Sequence, residues 1–120
     1  MYNYIMNSWR IQYYSQSSGK NPIQKFIDDL ENKSRAKVYN SFELLAEFGP
    51  GLRMPHTKKL IGTPLWELRI LGEASLRFFY IALIGKSFLI LHGFHKKTQK
   101  TPRKELKLAL TRLREYTVRH

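Results

Sequence analysis

The stretch LWELRILGEASLRFFYIALIGKSFLILHGF, residues 65–94, decides the fold. It contains three runs rich in branched and aromatic side chains, each long enough for a β-strand and separated from the next by a short loop. Loops this short join antiparallel neighbours, because a parallel pair needs a much longer crossover. The three strands, predicted over Leu65–Leu71, Ser75–Ile84 and Ser87–Phe94, therefore form an antiparallel meander.

The register of the first hairpin follows from the alternation of its side chains, because a one-residue slip would turn every side chain to the other face. A three-residue loop over 72–74 aligns the apolar residues of both strands and places Arg69 directly opposite Arg77. Like charges that face each other destabilise a sheet, so a phosphate bound between them would explain the pair. The alternative is an ordinary exposed face that Glu67 and solvent neutralise.

The second hairpin is predicted to have a two-residue turn, with glycine at its first central position. Residues 85 and 86, Gly-Lys, form this turn and pair Ile84 with Ser87. The same register predicts which residues of the last strand share a face with the two arginines. They are Ile90, His92 and Phe94.

Upstream of the meander the sequence predicts one strand and two helices. Residues 9–13 alternate between large apolar and polar side chains, as in a half-buried strand. The first helix begins after Asn21, an N-cap residue that Gln24 completes into a capping box. The second helix is predicted over 34–48 and ends at Gly49. Its predicted buried stripe consists of Val38, Phe42, Leu45 and Phe48.

Two further segments complete the predicted fold. Residues 52–64 combine prolines with Lys58 and Lys59 and are predicted to form a basic loop. The last helix has Thr101 as its N-cap and Pro102 as its first helical residue. The resulting order β-α-α-β-β-β-α predicts an α+β fold, in which helices pack on a small twisted, mainly antiparallel sheet.

Length and charge limit what the chain can be. With 120 residues it can enclose one hydrophobic core, so we expect a single domain over 1–120 with its core within 9–116. The 21 Lys and Arg outnumber the 9 Asp and Glu, and a polyanionic partner would relieve the self-repulsion of this +12 charge. The candidates are nucleic acid, which we favour, an acidic protein or an anionic membrane surface, and the alternative is a basic protein without such a partner. The absence of cysteine excludes disulfides, Cys-ligated zinc and thiol nucleophiles. We expect a cytoplasmic protein without membrane contact, because residues 1–9 lack the apolar run of a secretory signal.

A basic segment, His95-Lys96-Lys97-Thr98-Gln99-Lys100, joins the last strand to the last helix. It brings three lysines and an imidazole to the edge of the sheet that carries the two arginines. The helix N-terminus near Arg103 adds backbone amides that attract phosphate. A solvated loop is the alternative, but convergence with the arginines favours an anion site. The predicted RNA-binding residues are Lys58, Lys59, Lys96, Lys100 and Arg103.

The chemistry that these residues allow needs no metal. The acidic residues are scattered, so we expect no carboxylate cluster, no metal site and no cofactor. RNA can be cleaved without a metal when its 2′-hydroxyl attacks the adjacent phosphate, and the protein then moves protons and stabilises negative charge. His92 or His95 is the predicted acid or base, since imidazole titrates near neutrality, and a structural role is the alternative for either.

Three blocks of the sequence resemble the phage-derived branch of the RelE/HigB toxins of type II toxin-antitoxin systems. The blocks are Pro64-Leu65-Trp66-Glu67-Leu68-Arg69, Arg77-Phe78-Phe79-Tyr80 and the run from Leu91 to Pro102. The resemblance covers Trp9 to Tyr116 and implies a RelE-like microbial RNase fold. It also implies cleavage of mRNA in the ribosomal A site and neutralisation by a HigA-like helix-turn-helix antitoxin.

Carried over by position, the resemblance implies that Arg69, Arg77 and Lys97 bind or stabilise the scissile phosphate. Some relatives use a tyrosine on the last helix, where Arg103 or Lys104 stands here, or a pair of histidines with an aspartate, whereas no Asp follows residue 30 in this chain. The general base therefore stays open. We expect a ribosome-dependent mRNA endonuclease, and the alternative is a non-enzymatic module that binds RNA or the ribosome through the same basic face.

Overall fold

A mixed sheet covered by helices on both faces forms the centre of the computed structural model, which describes residues 8–73 and 75–120. Within these residues the elements are β1 (Arg10–Tyr13), α1 (Pro22–Asp28), α2 (Asn32–Phe48), β2 (Thr57–Lys59), β3 (Trp66–Arg69), β4 (Leu76–Leu83), β5 (Ser87–His95) and α3 (Arg103–Arg119). The strand order is β1-β5-β4-β3-β2, and of these pairings β1–β5 is parallel and the others antiparallel. The predicted α+β class with a mainly antiparallel sheet is confirmed.

The loop predicted over 52–64 contains the short strand β2, which was not predicted. Lys58 pairs with Glu67 and Lys59 pairs with Trp66, so the two lysines lie on opposite faces of the sheet. Three residues are too few for an alternating pattern to be recognised. Exposed lysines are typical of a sheet edge, where they discourage pairing with another chain.

The register of the first hairpin is as predicted. Arg69 lies opposite Arg77, and Leu68 lies opposite Phe78 on the other face. The amide of Ile70 donates to the carbonyl of Leu76 at 3.3 Å and closes the hairpin end. Ala74 in the predicted loop is outside the described residues. Residues 1–7, part of the N-terminal segment in which no secretory signal was predicted, are also outside them.

The turn of the second hairpin is longer than predicted. Leu83, not Ile84, pairs with Ser87, so three residues connect the strands. Gly85 and Lys86 both have positive φ angles, 90° and 60°. Glycine adopts this conformation without steric cost, which explains why it occupies the first of these positions.

A β-bulge at Phe79 and Tyr80 offsets the longer turn and restores the predicted pairing beyond it. His92 lies opposite Phe79, and Phe94 lies opposite the second arginine of the facing pair, as predicted. Ile90 lies opposite Tyr80 on the other face, so the prediction for Ile90 was wrong. The first five residues of β5 are all buried, so their side chains give no alternation from which a bulge could be predicted.

Helices cover the two faces of the sheet. On one face, Phe26 of α1 and Phe42 of α2 contact the Phe78 ring edge-on, with centroids 5.7 and 5.1 Å apart. Gly93 permits this approach, because a Cβ there would lie 2.5 Å from a ring carbon of Phe78. Helix α3 packs on the other face, which we term the arginine face. The strands present six described side chains on the arginine face: Glu67, Arg69, Arg77, Phe79, His92 and Phe94.

The helix ends differ in part from their predictions. The Asn21 side chain accepts from the Gln24 amide at 3.0 Å and caps α1 as predicted. The Gln24 side chain donates to Asp28 within the helix, so the second half of the capping box is not formed. Phe48 is 53% exposed rather than buried, because the chain turns away directly after it.

The start of the last helix is also displaced by one residue. Pro102, not Thr101, is the N-cap of α3, and the first helical residue is Arg103. Such shifts are common because the fixed φ of proline suits both positions. Among the residues described, no helix has the length and apolar character that crossing a membrane requires.

Candidate active site

Two rows of side chains cross the arginine face at right angles to the strands. One row consists of Lys58, Glu67, Phe79 and His92. The next row consists of Arg69, Arg77 and Phe94. The second row continues toward His56, because the Arg69 amide donates to the His56 carbonyl at 2.7 Å. Strand pairing therefore brings residues from separate segments of the chain to one face.

Glu67 lies between the two arginines. Its Oε1 accepts from Arg69 Nε at 3.4 Å and forms an ion pair with Arg77 Nε at 3.6 Å. The contact with Arg69 spans two positions of one strand, and the contact with Arg77 runs diagonally to the neighbouring strand. The carboxylate side chain is 1% exposed, against 28% for Arg69 and 14% for Arg77. The acid is thus enclosed, while both arginine side chains remain partly exposed.

Burial shapes the electrostatics of Arg77. Loss of solvent lowers the pKa of its guanidinium from the ordinary value, Glu67 opposes this shift, and the nearby Arg69 adds to it. Arg77 Nη1 also donates to the carbonyl of Leu76 at 3.2 Å, which ties the side chain to its own strand. An arginine in this setting stays charged, and its charge is less screened than on an open surface.

The cluster has one positive charge in excess, because two guanidinium groups share one carboxylate. A phosphodiester carries one negative charge and accepts hydrogen bonds from planar guanidinium groups in a forked geometry. The arrangement of Arg69 and Arg77 is therefore suited to binding one phosphate. Among the described residues, no three His, Asp or Glu side chains come together as metal ligands would.

The basic segment, residues 95–100, starts beside this cluster. The Lys96 amide donates to the Ser75 carbonyl at 2.6 Å, so the segment leaves β5 next to the loop that follows Arg69 in the hairpin. Lys97 and Lys100 are exposed, and the Thr98 hydroxyl donates to the Lys100 carbonyl at 2.8 Å. The structure thus places the segment at the same end of the sheet as the arginines. Arg103 is exposed at the start of α3.

The predicted lysines of β2 have different surroundings. Lys58 shares the arginine face with Glu67, whereas the Lys59 ammonium donates to the Thr63 carbonyl on the other side of the strand. Both lysines line an open cleft of about 270 Å³ that Leu106 of α3 also borders. Lys58 is therefore the one that adjoins the arginine cluster.

His92 is enclosed between the sheet and α3, with both ring nitrogens engaged. Arg112 Nη1 lies 3.2 Å from Nδ1 and also donates to the Leu91 carbonyl at 2.9 Å. Because a guanidinium only donates, Nδ1 accepts and the ring proton resides on Nε2. Nε2 then donates to Glu105 Oε1 at 2.7 Å. These hydrogen bonds connect α3 to β5, so the network is typical of a histidine with a structural role.

His95 lies on the opposite face of the sheet from the arginines. It pairs with Leu76, and its ring centroid is 5.8 Å from that of Phe26 in α1. The structure therefore separates His95 from Arg69 and Arg77, whereas His92 shares their face but has both ring nitrogens engaged. Alternation along β5 separates His95 from His92. The predicted register assigned His92 to the face of the arginines and made no assignment for His95.

Two residues of the site had no predicted role. Glu67 was considered only as a neutralising neighbour, and His56 lies in the segment that was predicted to form a basic loop. The register of the first hairpin already places Glu67 diagonally to Arg77, so this signal was available in the sequence. The position of His56 depends on β2, which the sequence did not reveal.

Comparison with protein families shows which family the chain resembles. Residues 25–114 of the chain match the family described as phage-derived protein Gp49-like (DUF891). The chain belongs to this family. The Gp49-like family is associated with RelE/HigB-like toxins of toxin-antitoxin systems, which confirms the resemblance at the level of a toxin-like family. A search among curated proteins finds no match.

The His92 network predicts how the stability of this Gp49-like protein depends on pH. Burial lowers the pKa of His92 from 6.5, its hydrogen bond to Glu105 raises it, and the charge of Arg112 lowers it. The unfolded chain thus takes up a proton at a higher pH than the folded chain does. The stabilisation is complete above pH 6.5 and is lost as the pH falls through the lower, folded pKa.

We therefore expect the free energy of unfolding to fall between about pH 7.5 and about pH 5.5, and to fall less in His92→Gln. Urea unfolding at both pH values measures the difference. His95→Gln is the matched control in the Gp49-like chain, because His95 is exposed and outside this network. A pH dependence that His92→Gln leaves unchanged would contradict a neutral, buried His92.

Proposed function

We propose that this protein is the toxin of a type II toxin-antitoxin system, of the RelE/HigB type, and that it cleaves mRNA on the ribosome. Membership of the Gp49-like family supports the toxin assignment. The observation that carries the proposed chemistry is the pair Arg69 and Arg77, two guanidinium groups held by one buried carboxylate. A site with one excess positive charge, partly open to solvent, suits a phosphodiester.

In the proposed reaction the RNA supplies its own nucleophile. The 2′-oxygen forms a bond to the adjacent phosphorus, its proton passes to a base, and the bond from phosphorus to the 5′-oxygen breaks. The leaving 5′-oxygen takes up a proton, so the products are a 2′,3′-cyclic phosphate and a 5′-hydroxyl. Arg69 and Arg77 stabilise the charge that accumulates on the phosphate, and Lys97 of the basic segment adds a further cation.

Protons must be moved by a group near the arginine pair. His92 has both ring nitrogens engaged and His95 lies on the other face, whereas the backbone of His56 adjoins Arg69. We therefore infer His56 as the first acid–base group to test. Ribosomal RNA can supply the remaining orientation of the message, since exact placement of the reacting groups contributes strongly to rate.

Purified protein, ribosomes and a defined message test the function directly. We expect cleavage of mRNA bound in the ribosomal A site and much slower cleavage of the same RNA in free solution. Cleavage should persist in EDTA when polyamines keep the ribosome intact, because no step requires a metal. Binding to ribosomes without cleavage in any of these assays would favour the non-enzymatic RNA-binding alternative. Rapid cleavage of free RNA would instead indicate a general ribonuclease.

The toxin-like family also suggests an antitoxin as partner. We propose a small HigA-like helix-turn-helix protein that is encoded beside the toxin. The net charge of +12 favours association with an acidic surface or with RNA. Co-expression of the adjacent reading frame should suppress toxicity and yield a stable complex on size-exclusion chromatography.

A further inference from the structure

Glu67 is an unusual residue to find enclosed in a sheet. Its side chain is 1% exposed, and its second carboxylate oxygen, Oε2, has no hydrogen-bond partner within the described part of the chain. An ionised carboxylate leaves water at a high cost unless it is paired. Replacing a buried ion pair or triad by apolar residues is often neutral or stabilising. Stability alone therefore does not explain an acid at this position.

The geometry around Glu67 links it to both arginines at once. A single oxygen, Oε1, contacts the Nε atoms of Arg69 and Arg77 at 3.4 and 3.6 Å. Directly opposed arginines would otherwise repel each other and separate. Nε is the guanidinium nitrogen nearest the side-chain stem, so the carboxylate contacts each arginine at the base of its guanidinium group. Beyond this shared contact, Arg77 Nη1 donates to the carbonyl of Leu76 at 3.2 Å.

We propose that Glu67 is a positioning residue, whose carboxylate holds Arg69 and Arg77 at the spacing that grips one phosphate. The inference rests on the proposed function and adds to it a residue that acts through the arginines. At 1% exposure the carboxylate does not reach the RNA, so it does not exchange protons with the substrate. Its effect is to convert two repelling cations into one preorganised anion site.

Removing the charge of Glu67 distinguishes two effects, the positioning of the guanidinium groups and the simple attraction of an anion. Glu67→Gln keeps the size of the side chain and removes its charge, so the arginine pair gains in net positive charge while losing its shared anchor. Attraction for an anion should hold or increase, whereas the placement of the guanidinium groups in the transition state should deteriorate. A residue that served only the fold would not produce these opposite changes.

Ribosome-dependent cleavage kinetics form the first arm of the test, with Glu43→Gln on the exposed surface of α2 as the matched control. We expect kcat of Glu67→Gln to fall about tenfold or more, the size of one lost charge-assisted contact, without a rise in KM. Glu43→Gln should match the wild type. A folded Glu67→Gln with wild-type kcat, or with a raised KM and unchanged kcat, would overturn the inference.

The second arm needs no activity and uses the nitrogen-15 spectrum of the arginine Nε–H groups, titrated with inorganic phosphate. We expect distinct, exchange-protected signals from Arg69 and Arg77 that collapse toward the solvent-exposed position in Glu67→Gln, with phosphate affinity kept or increased. Unchanged signals would refute positioning even if the wild type never cleaves RNA. If the wild type shows these signals but does not cleave RNA, only the proposed function is refuted, and the positioning role of Glu67 stands. Glu67→Asp, which keeps the charge on a shorter stem, should shift the same signals and decides the matter if Glu67→Gln does not fold.

Discussion

Replacing Arg77 by alanine is expected to abolish growth inhibition and to reduce mRNA cleavage by about a hundredfold or more, as loss of a preorganised charge stabiliser does. Arg77 lies opposite Arg69 and, with Glu67, forms the proposed phosphate site. Arg69→Ala should act in the same direction. Arg77→Lys should recover little, because an ammonium keeps the charge but lacks the planar fork.

Stability must be separated from activity in these variants. Arg77→Ala leaves Glu67 with less compensation, which we expect to cost about 1–3 kcal/mol of unfolding free energy. Arg69 is more exposed, so its variant should fold with a smaller loss. Arg114→Ala, on the exposed surface of α3, removes the same charge elsewhere and should remain toxic. Circular dichroism with a growth assay measures both quantities, and two folded, fully toxic arginine variants would disprove the site.

A single 2′-deoxy substitution in the message should abolish cleavage at the following phosphate. The substitution removes the attacking oxygen and leaves the phosphate and its proposed contacts with Arg69 and Arg77 in place. Binding to the programmed ribosome should therefore remain, while the cut disappears. End analysis of the unsubstituted message should find a 5′-hydroxyl and a 2′,3′-cyclic phosphate or its hydrolysed form.

The matched control is a message with the deoxy sugar one nucleotide further on, which retains the nucleophile and should be cut normally. Gel analysis of both messages on the same ribosomes decides between the alternatives. Undiminished cleavage of the first message would require an activated water as the nucleophile. That outcome would reject the proposed mechanism but leave the phosphate-binding role of the arginines intact.

The sequence predicted the first hairpin in detail, because one face of each strand is apolar and the alternation admits one register. Arg69 and Arg77 were placed opposite each other on that ground alone. The second hairpin was predicted only in its distal half, since the continuous apolar run of β5 conceals the bulge. Local pattern specifies register where the two faces differ, and it fails where both are buried.

The candidate site was predicted in its charges but not in its proton-transfer groups. Whether His92 can transfer protons depends on its contacts with Arg112 and Glu105. Both residues lie on α3, and no local sequence pattern predicts how α3 packs on β5. The sequence shows which residue types are present, and the tertiary contacts decide which of them are engaged.

The parallel pairing of β1 with β5 has a consequence for the order in which the protein folds. Arg10 meets Ser87, so this contact closes a loop of most of the chain, whereas β2 to β5 pair with neighbours close in sequence. Closing long loops slows the formation of such contacts. The strand that leaves the ribosome first should therefore dock after the meander has formed. The pair Arg69 and Arg77, which lies in β3 and β4, would be assembled before the N-terminal edge is in place.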